Sequence, residues 1–84
     1  MRIAVLLAAL ALVGCGEDDV PVDRDTPDAR RAVSEALAVV SGRVVEVARD
    51  RDNGKWEVIV EQRDGRYVIE LQPGTFELLR LDYD

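Results

Sequence analysis

The stretch Trp56-Glu57-Val58-Ile59-Val60-Glu61-Gln62-Arg63-Asp64-Gly65-Arg66-Tyr67-Val68-Ile69-Glu70-Leu71 decides the fold. Trp56, Val58 and Val60 alternate with Glu57, Ile59 and Glu61, the period of two that a strand needs to bury one face. Asp64-Gly65 marks a turn. Tyr67, Ile69 and Leu71 then form the inward set of a second strand, against Val68 and Glu70. Two such runs separated by a short polar turn read as an antiparallel hairpin.

Reading toward the N-terminus, Asp52-Asn53-Gly54 is a second hairpin signal, because Asn-Gly accepts the positive φ angles of a tight turn. Arg43 to Asp50 before it is strand-like, with Val45 and Val47 expected on one face and Val44 and Ala48 on the other. Reading toward the C-terminus, Gln72-Pro73-Gly74 breaks the pattern, and Phe76 to Leu81 predicts a last strand.

Upstream of the strands the period changes to that of a helix. Ala29, Ala32, Val33, Ala36, Leu37 and Val40 recur on one stripe. Thr26 can cap the free amides, Pro27 suits the first helical position, and Asp28 suits the positive end of the helix dipole. Gly42 is expected to end the helix in a left-handed conformation. The fold class predicted is α+β: one N-terminal helix packed on a three- to four-stranded antiparallel sheet. The helix should cover the face carrying Trp56, Val58, Val60, Ile69 and Leu71. Glu57, Ile59, Glu61, Val68 and Glu70 make a mixed outer face that can meet a partner.

Gly16 to Asp25 holds five acids against one base, Arg24. Such a segment has little to bury and is expected to stay extended as a tether, with Val20-Pro21-Val22 adding stiffness but nothing to pack. Before it lies Ile3 to Val13, wholly apolar, preceded by Arg2 and followed by Gly14-Cys15. A basic start, a short apolar run and small residues at the cut form a secretory signal. A membrane-spanning helix needs about 20 apolar residues, and Glu17, Asp18 and Asp19 interrupt too early for that.

Leu12-Val13-Gly14-Cys15 resembles a bacterial lipobox. That resemblance implies cleavage before Cys15 and a diacylglycerol on its thiol, so Cys15 is the expected lipidation site. The competing reading is an ordinary secretory signal with an incidental cysteine. The expected organisation is a lipoprotein signal peptide at 1–14, a lipid-anchored acidic tether at 15–25 and one small domain at 26–84. The resemblance places that domain on the extracytoplasmic side of a cell membrane, at the cell surface or in the periplasm.

The chain has 84 residues, 17 acidic and 11 basic, for a formal charge of −6. Cleavage would remove only Arg2 from the charged set and leave the remainder one unit more negative. An acidic domain does not seek nucleic acid by charge, and no nucleic-acid partner is expected. Cys15 is the only cysteine, so no internal disulfide can form. No histidine is present, which removes the commonest general base and metal ligand. Ser34 and Ser41 therefore lack an activating base, and their ordinary places are a helix surface and a helix end. No catalytic, metal or cofactor residues are assigned, and no enzyme is expected.

Asp50-Arg51-Asp52-Asn53-Gly54 begins like a calcium loop and Glu61 falls where its last ligand belongs. The loop wants glycine sixth, however, and the sixth residue is Lys55. The hairpin reading is preferred. Trp56 is read as a core anchor beneath small helix side chains. Arg43, Arg49, Arg51, Lys55, Arg63 and Arg66 interleave with acids and read as cross-strand charge pairing.

In order along the chain, the spaced alanines Ala29, Ala32 and Ala36, then Gly42-Arg43-Val44, then Trp56-Glu57-Val58-Ile59-Val60, then Asp64-Gly65 followed by Tyr67, resemble a PepSY domain. The resemblance spans Thr26 to Asp84. One departure is Leu71-Gln72-Pro73-Gly74-Thr75-Phe76, which lacks the aspartate common in the family and places glycine before threonine. The resemblance implies a binding or regulatory module that restrains a protease of the cell envelope. A partner strand would add to an exposed sheet edge, with Arg43–Asp50 or Phe76–Leu81 as the expected edges. The alternative expectation is a structural envelope lipoprotein that self-associates through its sheet edges or mixed face.

Overall fold

The computed structural model of the protein describes residues 19–83. Strand β1 (Asp19–Pro21) is followed by helix α1 (Pro27–Val39), then β2 (Arg43–Asp50), β3 (Trp56–Gln62), β4 (Gly65–Leu71) and β5 (Leu78–Tyr83). The five strands form one antiparallel meander in the order β1-β2-β3-β4-β5. The α+β class is as expected, with one helix among the described residues lying on one face, but the sheet has five strands instead of three or four.

The extra strand comes from the acidic stretch expected to remain unpacked. Asp19, Val20 and Pro21 pair with Asp50, Arg49 and Ala48. Val22 follows with its N–H on the carbonyl of Val47 and packs against the core. Composition favoured a solvated tether, but Val20-Pro21-Val22 supplies an apolar run that an unpaired β2 edge can hold. Pro21 is tolerated because an edge strand can leave one N–H position empty.

Helix α1 starts as its sequence predicts. Thr26 accepts a hydrogen bond from Ala29 N at 3.2 Å, with Pro27 and Asp28 in the first turn. Ala29, Ala32 and Ala36 are fully buried against the sheet. Their small side chains let the helix sit close, and the volume beneath is filled by Trp56, Val58, Val60, Ile69 and Leu71. Leu37 lies outside this contact, half exposed, so the apolar stripe is narrower than its spacing implied.

Three local expectations are corrected. Gly42 has φ +152, not a left-handed helix cap. The helix ends earlier, with Val40 N–H bonded to the Ala36 carbonyl. Gly42 is needed for space: a Cβ there would lie 2.6 Å from the Glu61 carbonyl oxygen and 2.8 Å from Val60 Cγ1. Between Val44 and Glu46 the register shifts in a β-bulge. The extra residue flips the alternation, so Val44 and Val47, not Val45 and Val47, share the helix side. The last strand begins at Leu78, and Phe76 is no strand residue. It sits at φ 62 in the turn that follows β4, its N–H on the Gln72 carbonyl, and its ring is buried.

The β2–β3 hairpin forms, with a longer turn than Asn-Gly suggested. Arg51 to Gly54 are closed by Asp50 N–H on the Lys55 carbonyl, and only Gly54 takes a positive φ, 76°. Asp50 Oδ1 accepts from the Asp52 and Asn53 amides at 2.7 and 3.0 Å. Those bonds, Asn53 first, hold its carboxyl below the usual range. The carboxylate that could have opened a calcium loop thus caps its own turn.

Candidate binding edge

A meander has two outer strands. The β2 edge, one of the two expected to be open, is covered over Ala48–Asp50 by β1. At the other side, β5 has β4 as its one neighbour among the described residues.

The hydrogen-bond phase of the sheet shows which β5 groups face outward. In an antiparallel ladder, opposed residues alternate between bonded and non-bonded pairs. Val22 bonds to Val47 and Asp50 to Lys55. Odd residues of β2 near its C-terminal end therefore point toward β1, and Ala48 bonds with Glu57. The phase then passes to Val58–Ile69 and Val60–Tyr67 in β3–β4, and to Val68–Asp82 and Glu70–Arg80 in β4–β5. Leu81 and Tyr83 are left with backbone N–H and C=O groups directed away from β4.

Side chains on this strand are unusually apolar for an outer edge. Leu78, Leu79, Leu81 and Tyr83 are 43, 46, 43 and 57% exposed. Leu81 lies opposite Ile69, Leu78 opposite Leu71, and Tyr83 opposite Tyr67, so these three occupy the helix side of the sheet. Helix α1 lies over β2, β3 and β4. It leaves the β5 leucines uncovered. Tyr83 is braced, with its ring 4.9 Å from that of Tyr67 and its hydroxyl donating to the Asp64 carbonyl at 2.8 Å. On the opposite face Arg80 Nε meets Asp82 Oδ2 at 2.7 Å, and Arg80 also reaches Glu70 at 4.0 Å.

The outer face of the sheet is less open than its composition suggested. Glu57 and Ile59, expected to face a partner, are both 5% exposed, and Ala48 beside them is fully buried. Glu57 Oε1 has no hydrogen-bond partner. Burial, then the neighbouring Asp19 carboxyl, then the charges of Glu46 and Glu70, push the Glu57 pKa up to about 8. Lys55 offsets part of this acidity by pairing with Glu70 at 3.2 Å. Toward the other end of the face, Glu61 bonds to Arg43 and also meets Arg66 at 3.6 Å, and both hold its carboxyl below the usual range. The expected cross-strand charge pairing is therefore realised at Arg43, Lys55 and Arg66. Arg49 is used differently, donating twice to the Gly54 carbonyl with its guanidinium 4.5 Å over the Trp56 ring.

A shallow groove of about 480 Å³ lies between α1 and the start of β2, lined by Arg24, Arg30, Val33, Ser34, Leu37 and Val44. Its two arginines donate to the carbonyls of Val44 and Asp25. Cys15, the expected lipidation site, lies outside the described residues, as does the signal segment. No helix among the described residues is long and apolar enough to cross a membrane. Comparison with protein-family models, curated proteins and solved structures finds nothing that matches this chain.

Leu81 falls within one of the two edges expected from the sequence, Tyr83 lies just beyond it, and the outward direction of their backbone groups was not readable there. Which strand residues face outward depends on a hydrogen-bond phase that starts at β1, and β1 was not expected. The signal that was available is the run Leu78-Leu79-Arg80-Leu81, more apolar than a solvated edge requires.

Proposed function

We propose that this chain is a non-enzymatic, PepSY-like binding module, anchored to an extracytoplasmic membrane by lipid on Cys15, that takes an extended segment of a partner protein onto β5. The observation that carries this reading is the outward set of Leu81 and Tyr83 backbone groups beside exposed leucines. Main-chain bonds to such an edge supply affinity, and pockets beside it supply choice. The protease-restraining role comes from the family resemblance alone, and an envelope protease is the partner class that resemblance names. The alternative is a structural lipoprotein whose copies associate permanently, and the same apolar edge supports it.

Affinity capture of the full chain from its own envelope after mild cross-linking tests the reading, with Cys15→Ala and Leu81→Pro as comparisons. One partner protein, lost with Leu81→Pro, supports the edge. Retention of that partner by a folded Leu81→Pro variant sinks it. Incorporation of a palmitate analogue into the wild type but not into Cys15→Ala tests the anchor, and labelling of both would remove Cys15 as the site. Capture of the chain alone favours the structural alternative.

A further inference from the structure

We infer that, when no partner segment is bound, the β5 edge is occupied by β5 of a second copy, paired antiparallel about a two-fold axis through Leu81. This rests on the reading of β5 as a strand-accepting edge and names one strand it accepts.

The register follows from charge. About an axis through Leu81, Arg80 of each copy lies directly opposite Asp82 of the other, and the contact occurs twice by symmetry. About an axis through Arg80, two arginines oppose one another. About an axis through Asp82, two aspartates do. Opposite charges directly across a strand pair stabilise it by roughly 0.2–1 kcal/mol and like charges oppose it. Arg80 and Asp82 are 62 and 48% exposed along their side chains, so both can reach across.

The backbone phase agrees with that register. Leu81 faces outward, so Leu81 against Leu81 of the second copy is a bonded pair that satisfies all four of its edge groups. Leu79 then comes opposite Tyr83, whose outward groups are also free in the sheet. Direct opposition keeps each side chain on its own face. Leu81 and Tyr83 of both copies therefore meet on the helix side, in the space beyond β4 that α1 does not cover. One continuous sheet results, and both leucine-rich edges are removed from water. An exposed apolar edge is otherwise an aggregation hazard; β5 has no proline, and its one register shift falls at Leu79, which leaves Leu81 to Tyr83 unguarded. A partner segment would have to displace the second copy, which makes self-pairing a restraint on binding.

The test uses the full chain carrying Cys15→Ser, with Leu81→Cys or Val39→Cys as the only thiol. Val39 is 42% exposed on α1, matching Leu81 in accessibility. Opposed residues of a bonded pair have Cα atoms about 5.5 Å apart, within disulfide reach. Under mild oxidation in dilute detergent micelles, Leu81→Cys should form disulfide dimer at least roughly tenfold faster than Val39→Cys. Adding Arg80→Asp should lower that yield roughly tenfold, since two attractive pairs become repulsive. Adding Asp82→Arg to that variant should restore it, because the swapped charges are again complementary. Equal yields at positions 81 and 39 overturn the proposal, as does a folded swap variant that fails to recover. If cross-linking fails while Leu81→Pro still abolishes capture of an envelope protein, only self-pairing is lost. If Leu81→Pro leaves capture intact, the strand-accepting edge itself is lost.

Discussion

Trp56 and Phe76 stack with ring centroids 5.9 Å apart, and an arginine caps each end of the pair: Arg31 lies 4.5 Å over Phe76 and Arg49 lies 4.5 Å over Trp56. The four side chains come from α1, the turn after β4, β3 and β2. They close the end of the core that the short alanine side chains of α1 leave wide. Phe76 occupies a left-handed backbone conformation to do so, which costs a non-glycine residue about 1–2 kcal/mol. The buried ring outweighs that cost, since fully burying a Phe side chain stabilises by about 1.5–3 kcal/mol.

Phe76→Ala should therefore destabilise the domain by about 3–5 kcal/mol, as for other buried phenylalanines. Urea unfolding followed by the fluorescence of Trp56, the only tryptophan, reads this directly. A loss under about 1 kcal/mol would mean the ring is not part of the core.

Gly42→Ala should cost about 1–3 kcal/mol, because the new Cβ meets a backbone oxygen that cannot move without disturbing the β2–β3 ladder. Gly74→Ala is the comparison, since nothing lies within 4 Å of a Cβ there, leaving only the strain of φ +83. Equal melting temperatures for the Gly42→Ala variant and the wild type would contradict the close approach.

The hydrogen-bond phase of β5 predicts a contrast between neighbouring prolines. Leu81→Pro removes an N–H that points away from the sheet and should be tolerated, as proline is on the outer side of edge strands. Arg80→Pro removes an N–H that bonds to Glu70 in the ladder and should cost about 1–3 kcal/mol, because the Glu70 carbonyl loses its donor. Circular dichroism melts of the two variants check the assignment, and the reverse ranking would shift the outward groups to Arg80 and Asp82.

Glu57 predicts an inverted pH dependence. Its pKa in the fold, about 8, lies above the ordinary value of 4.5, so the folded state keeps a proton that the unfolded chain releases. Stability from this group is complete below about pH 4.5 and is lost as pH rises toward 8. Asp19, Glu46 and Glu70 face Glu57 and add to its shift, while Lys55 and Arg80 pair with Glu70. Glu57→Gln should flatten the decline in melting temperature between pH 5 and 8 and should exceed the wild type at pH 8. An unchanged slope would show that Glu57 titrates normally.

The core was legible because it is written in periods. The inward set Trp56, Val58, Val60, Ile69 and Leu71 follows from alternation, and Ala29, Ala32 and Ala36 from helical spacing. What escaped was set by contacts between distant residues. The bulge at Val45 inverts a parity that local alternation appears to define. Phe76 leaves the strand pattern because its ring is drawn back onto Trp56. Asp19–Pro21 joins the sheet because β2 offers an edge, a fact that no property of the acidic segment contains. Of the candidate binding edge, only the leucines could be read in advance. Their backbone direction required the whole ladder.

Strand β1 also sets a leash. A segment free from residue 16 to 25 would reach roughly 35 Å at full extension, but with Asp19 held in the sheet only residues 16–18 remain between Cys15 and the domain, roughly 10 Å. A lipid on Cys15 would then hold the domain by its β1 side, nearly touching the bilayer. β5 lies four strand spacings away across the sheet, roughly 19 Å. The domain would stand on one margin of its sheet and hold the other, with the exposed leucines of β5, out into the water away from lipid.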